Sequence, residues 1–166
     1  MVTCSVCGKI NWKRLGIAIP VTSIVNMFVF YGLFMNPFSR QVIFSESLGQ
    51  SPKLVVVWTQ LEPVPQVTSL IPALTITPAI FSFFFAVLYD SVPRNGKLRK
   101  GFAYATILWA TIAVFFGLFT PRGLFGEPLH LLAYELILWF IGMIIVCLVL
   151  STIYSRKELS KIVHES

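Results

Sequence analysis

Charge is what this chain has least of. Only 12% of its 166 residues are Asp, Glu, Lys or Arg, about half the ~25% usual for a soluble domain. Cysteines number three and histidines two, too few for a disulfide framework or a complete Cys-x-x-Cys…Cys-x-x-Cys zinc site. A Gly-rich phosphate loop, a His-x-x-x-His pair, a nucleophile elbow and paired carboxylates are all missing. The familiar phosphoryl-transfer, metallohydrolase and acyl-transfer signatures are therefore absent. No internal repeat or low-complexity tract is visible, and no stretch is long enough for a separate soluble domain.

Apolar sequence is what the chain has in quantity: 56% of residues are hydrophobic and the mean hydropathy is +0.80. It is gathered into four runs, Leu15–Phe34, Ser69–Leu88, Phe102–Phe119 and Leu129–Ile153. Each is about long enough for a helix to cross a ~30 Å hydrocarbon layer. The pattern predicts an all-α, four-helix transmembrane bundle forming one membrane domain, with an outer segment at 35–68 and a cytoplasmic loop at 89–101. Ten of the thirteen basic residues flank the same side of these runs: Lys9, Lys13, Arg14, Arg94, Lys97, Arg99, Lys100, Arg156, Lys157 and Lys161. Arg40, Lys53 and Arg122 fall on the other side. The positive-inside rule then puts both termini in the cytoplasm, most simply of a plasma-membrane protein. The net charge of +6 is read as topology signal and contact with anionic headgroups. No continuous basic patch points to nucleic acid. The first run is too long for a signal-peptide core and no small-residue cleavage site follows it, so an uncleaved helix is expected.

Within the runs, Pro20 and Pro78 predict local kinks, while Pro72 lies in a first turn. Leu54–Trp58 could be a short strand or a segment lying at the interface, and the interfacial reading is preferred. Small residues recur on two stripes: Thr75, Ala79, Ser82 and Ala86, and Ala103, Thr106, Ala110, Ala113 and Gly117. Helices in lipid associate along such faces, so the two stripes are expected to meet each other. Phe81, Phe84, Phe115 and Phe119 would then face lipid or fill gaps.

Glu135 is the one acidic residue inside an apolar run, and an intramembrane carboxyl usually faces a partner or a cavity. It lies six residues into its helix, about 9 Å deep at ~1.5 Å per residue. Asn26, Thr75 and Thr111 fall at similar depths, which predicts a polar pocket open to the outside, with Trp139 one turn from the carboxyl. The plainer alternative is that Glu135 reaches headgroups or makes a single interhelical hydrogen bond. His130 falls at the membrane boundary, and His164 in the opposite compartment, so the two cannot share a haem. Cys4 and Cys7 form a Cys-x-x-Cys, half of a zinc knuckle. A dimer or His164 could complete it; a reduced dithiol, a lipidation site or no role are the alternatives, and no other cofactor is implied. The dithiol does not match four-helix disulfide-generating membrane enzymes, which carry reactive pairs on the oxidising side. Cys147 reads as a small buried hydrophobe.

The ordering of Phe30-Tyr31-Gly32, Trp58…Pro63-x-Pro65, Leu88-Tyr89, Gly96…Gly101 and Ile153-Tyr154 resembles a group of uncharacterised small four-span integral membrane proteins. That resemblance implies the fold and no activity. The functional expectation is a small non-enzymatic membrane protein, an accessory or structural subunit with a membrane-protein or homo-oligomeric partner. The alternative is a small transporter or lipophilic-ligand binder built on the Glu135 cluster.

Overall fold

The computed structural model describes residues 10–60, 67–92 and 96–155, with only the backbone of Trp58 and of residues 67–70. The described residues are helical throughout the ordered elements, with no strand among them. Four helices are long and apolar enough to cross a membrane. They are α1 (Trp12–Phe34), α4 (Val67–Leu88), α5 (Lys97–Leu124) and α6 (Leu129–Tyr154). Two short helices, α2 (Pro37–Ile43) and α3 (Pro52–Thr59), lie between α1 and α4. Leu54–Trp58 is thus helical and not a strand. Pro52 at the first helical position has no N–H to waste there and presets φ for a helix, whereas a strand would need a partner edge.

α5 is longer than the apolar run predicts, beginning with the basic turn Lys97–Lys100. Its second half is wound wider than an α-helix, as π-helical turns at Trp109–Val114 and Leu118–Leu124. Pro121 sits in the second of these, where the missing N–H breaks the regular ladder.

Packing runs in the order α4, α1, α6, α5. α4 and α5 barely approach one another, so the two small-residue stripes do not meet. Each stripe is used on a different partner. Ser82 of α4 is fully buried with its hydroxyl 3.1 Å from that of Thr22 on α1. On α5, a β-carbon added at Gly101 would come within 2.8 Å of the Cys147 carbonyl oxygen on α6. One at Gly117 would come within 2.9 Å of Leu132, also on α6. Hydropathy could not supply this pairing, because a small-residue face says that a helix approaches something closely but not which helix.

The end of the bundle that holds Ile10 and Ser155, here the terminal end, is tied by polar contacts. The Asn11 amide donates to the Tyr154 hydroxyl at 3.1 Å, and the Asn11 side chain caps α1 by accepting from the Arg14 amide at 3.1 Å. The Arg14 guanidinium donates to the carbonyls of Tyr154 and Ser155, a cation placed on the negative end of the α6 dipole. Beneath this lies an aromatic cluster. Phe85 has ring centroids 5.0 Å from Tyr104, 5.6 Å from Tyr89 and 6.0 Å from Tyr154. The Tyr104 hydroxyl donates to the Phe81 carbonyl at 2.8 Å, a direct tie between α5 and α4 at this end.

The opposite end is covered by the segment after α1, which forms a cap. Asn36 closes α1 by donating to the carbonyls of Gly32 and Leu33, each at 2.8 Å, and opens α2 by accepting from the Ser39 amide at 2.9 Å. Ser39 then meets the Tyr134 hydroxyl at 3.0 Å, and His130 Nε2 lies 2.8 Å from the Leu48 carbonyl. The exterior of the bundle is strongly apolar. Phe28, Phe84, Phe115 and Phe119 are all at least half exposed, a surface that water does not tolerate over such an area. Phe81 is half-buried against the core, filling space instead of facing outward.

Candidate functional site

α4 and α5 pack little against one another, and the cap half of the bundle is hollow. A cavity of about 560 Å³ occupies the space, within the 300–1,000 Å³ range of small-molecule sites. All four long helices line it: Asn26, Phe30 and Phe34 from α1; Leu74, Thr77 and Phe81 from α4; Ile112, Ala113 and Phe116 from α5; Glu135, Trp139 and Met143 from α6. Ile43, Phe44, Leu54 and Val57 of the cap segment roof it. Nearly every lining group is apolar. The ring of Trp139 is held against those of Phe30 and Phe34, with centroids 4.8 and 5.4 Å away.

Of the residues expected to converge, the structure brings Glu135, Asn26 and Trp139 to the cavity wall. Thr75 and Thr111 stay outside it. Their hydroxyls fold back on their own helices, Thr75 onto the Ile71 carbonyl at 2.9 Å and Thr111 onto that of Ile107 at 2.7 Å. A threonine in a helix can always reach the carbonyl four residues back. Equal depth therefore did not imply convergence.

Asn26 has a specific structural reason to be where it is. Pro78 has no N–H, so the carbonyl of Leu74, four residues earlier on α4, loses its helical donor. The Asn26 amide donates to that carbonyl at 3.1 Å, and Ser23 one turn earlier donates to the Thr75 carbonyl at 3.1 Å. In an apolar surrounding such freed groups must be served by a neighbouring helix. Asn26 Oδ1 has no partner among the described residues and belongs to a residue on the cavity wall.

The carboxyl of Glu135 has a second acid beside it. Glu127, in the turn before α6, is fully buried and lies close enough to Glu135 for the two carboxyls to interact. Gly126, at φ 75°, supplies the left-handed turn that brings Glu127 inward. The Glu127 amide donates to the Pro121 carbonyl at 2.9 Å, and the Arg122 guanidinium is spent on the Glu127 backbone carbonyl at 2.8 Å rather than on the carboxylate. Gln50 of the cap, also buried, donates to Glu127 Oε1 at 3.0 Å and to the Ile43 carbonyl at 2.7 Å. Glu127 Oε2 has no hydrogen-bond partner among the described residues. Burial pushes the Glu127 carboxyl above the usual glutamate range, against its contacts with Gln50 and Glu135 and the nearby His130, which favour its charged form. Two neighbouring carboxyls in an apolar surrounding cannot both ionise without a large cost. Glu127 and Gln50 gave no signal in the sequence. A single glutamate in a turn and a single glutamine in a loop have no spacing that marks them as partners.

Cys4, Cys7 and His164, the residues considered for zinc, lie outside the described residues. Among those described, no group of three or more His, Cys, Asp or Glu side chains could hold a metal ion. Cys147 is buried in the core at the α5–α6 contact. No family model, curated protein or solved structure matches the chain.

Proposed function

We propose that this is a non-enzymatic multi-pass protein of the plasma membrane, with both ends in the cytoplasm, that binds a lipophilic molecule between α4 and α5. The observation that carries this is the cavity itself: about 560 Å³, walled by apolar side chains from four helices, with a carboxyl at its edge. Helices gain nothing from the hydrophobic effect by leaving such a space in lipid, since hydrocarbon and leucine are alike apolar. Sequence elsewhere closes the same four helices tightly. The gap between α4 and α5 gives a route from the bilayer, so the ligand need never cross water.

Native mass spectrometry of the protein from mild detergent tests this reading. One retained lipophile per chain is expected. Ala113→Phe, which puts a ring into the cavity, should lose it. An adduct pattern unchanged by Ala113→Phe, or no adduct in either protein, overturns the reading. A second reading, an accessory subunit of a membrane assembly, has one supporting observation. Ala110 of the α5 stripe and the adjacent Thr111 are exposed, and small residues on a helix exterior suit contact with another helix. Co-purification of a stoichiometric protein in place of a small molecule would favour it.

A further inference from the structure

The cavity described above is mostly apolar, and its polar lining includes the Glu135 carboxyl and the Asn26 carboxamide at one edge, besides the hydroxyls of Thr77 and Thr120. Asn26 gives one of its two amide N–H groups to the Leu74 carbonyl, and its Oδ1 is open to accept a hydrogen bond. The charged and titratable groups around them do not supply a counter-ion to the carboxyls. Arg122 points to a backbone carbonyl, His130 contacts the Leu48 carbonyl, and Gln50 is neutral. Glu127, behind Glu135, adds a second acid to the same spot. Taking such a pair into an apolar site is costly unless a cation or a shared proton accompanies it. A neutral lipophile would leave this edge unchanged. A ligand carrying an ammonium group would supply that cation and donate to Glu135 and Asn26 together.

We infer that the ligand is a cationic amphiphile, an apolar chain or ring system bearing one amine, with the amine seated between Glu135 and Asn26. This rests on the cavity reading above and adds charge selectivity to it. Trp139, whose face borders the cavity beside Glu135, is placed to contact the cation as well.

The test compares dodecylammonium with dodecanol, two probes of equal chain length, on the full chain in phosphatidylcholine nanodiscs. Binding is read from tryptophan emission, with empty nanodiscs subtracting partition into lipid. Dodecylammonium should bind about 10- to 100-fold more tightly than dodecanol, the gain expected for charged over neutral hydrogen bonding. Glu135→Gln should abolish that preference. Glu127→Gln, which keeps the carboxyl on the cavity wall, should retain the preference. Equal binding of the two probes to the unaltered protein overturns charge selectivity and leaves the cavity reading standing. So does a preference that survives in Glu135→Gln. Failure of both probes to bind overturns the cavity reading along with it. The comparison on the unaltered protein decides the matter even if a variant does not fold.

Discussion

At the terminal end, Phe85, Tyr104, Leu150 and Tyr154 are at most 2% exposed, and four aromatic rings pack around a hydroxyl-to-carbonyl tie. At the cap end the same four helices enclose an open space, and the polar groups there include a buried acid with one oxygen lacking an N–H donor. Both halves are made from similar residues. What separates them is local backbone geometry: Gly101 sets α5 against α6 at the terminal end, whereas the π-helical turns of α5, with Pro121 in the second, fall in the cavity half. A well-packed half holds the helices in place while the other half is left hollow. That division is what a binding protein in lipid needs, since a cavity cannot hold itself open.

The largest expected effect sharpens this contrast at two glycines of the bundle. A β-carbon at Gly101 would lie 2.5 Å from Ser151 Oγ and 2.8 Å from a backbone oxygen of Cys147, and backbone cannot move aside. Gly101→Ala should cost about 3 kcal/mol, the upper part of the overpacking range. At Gly142 the nearest atom is the far edge of the Phe30 ring, also at 2.8 Å, and that ring borders the cavity and has space to swing into. Gly142→Ala should cost well under about 1 kcal/mol. Equal losses for the two variants in detergent unfolding would mean that the cavity half is as rigidly packed as the other.

A smaller, pH-graded effect is expected where the cap sits on the bundle. Burial raises the Glu127 carboxyl above its usual range. A raised carboxyl stabilises the folded state fully below the unfolded glutamate value of about 4.3 and loses that contribution as pH climbs through the folded value. The Gln50–Glu127 contact should therefore hold best in acid and loosen upward from that window. Hydrogen exchange over residues 40–59 should speed up with pH beyond the intrinsic chemical dependence, and Glu127→Gln should remove the excess. Protection that grows with pH in the unaltered protein would show that the acid is ionised and paired in the folded state.

Much of the architecture was legible in the sequence. Four runs of apolar residues separated by charge leave few alternatives, since every backbone group in hydrocarbon must be bonded within a helix. The cap was not legible, because the segment from Asn36 to Gln60 has no apolar period and its order comes from side-chain contacts such as Ser39–Tyr134 and Gln50–Glu127. Half of the expected polar cluster reached the cavity. Thr75 and Thr111 could complete their hydrogen bonds locally and did so; Glu135 could not, and Asn26 was needed elsewhere. The Asn26 partner was within reach of sequence reasoning. A proline in the interior of a span leaves one carbonyl four residues back, and a carboxamide at similar depth on an adjacent span is a natural donor to it.

That last relation gives the smallest and most specific prediction. Asn26→Leu removes the donor to the Leu74 carbonyl and should cost about 1 kcal/mol, in line with interhelical hydrogen bonds in membranes. Pro78→Ala restores the helical N–H that Leu74 lacks. If the proline is the reason for the asparagine, the two changes are not additive: Asn26→Leu should cost little in the Pro78→Ala background, leaving a coupling of about 1 kcal/mol in the double-mutant cycle. Additive losses would show that Asn26 is held by something other than the broken ladder of α4. The cycle also sharpens the contrast between the halves, because Thr22 and Ser82, one helical turn from Asn26 toward the packed end, meet hydroxyl to hydroxyl without either serving a carbonyl that a proline has freed. On the cavity side a polar side chain repairs the backbone; on the packed side a similar pair holds two helices together.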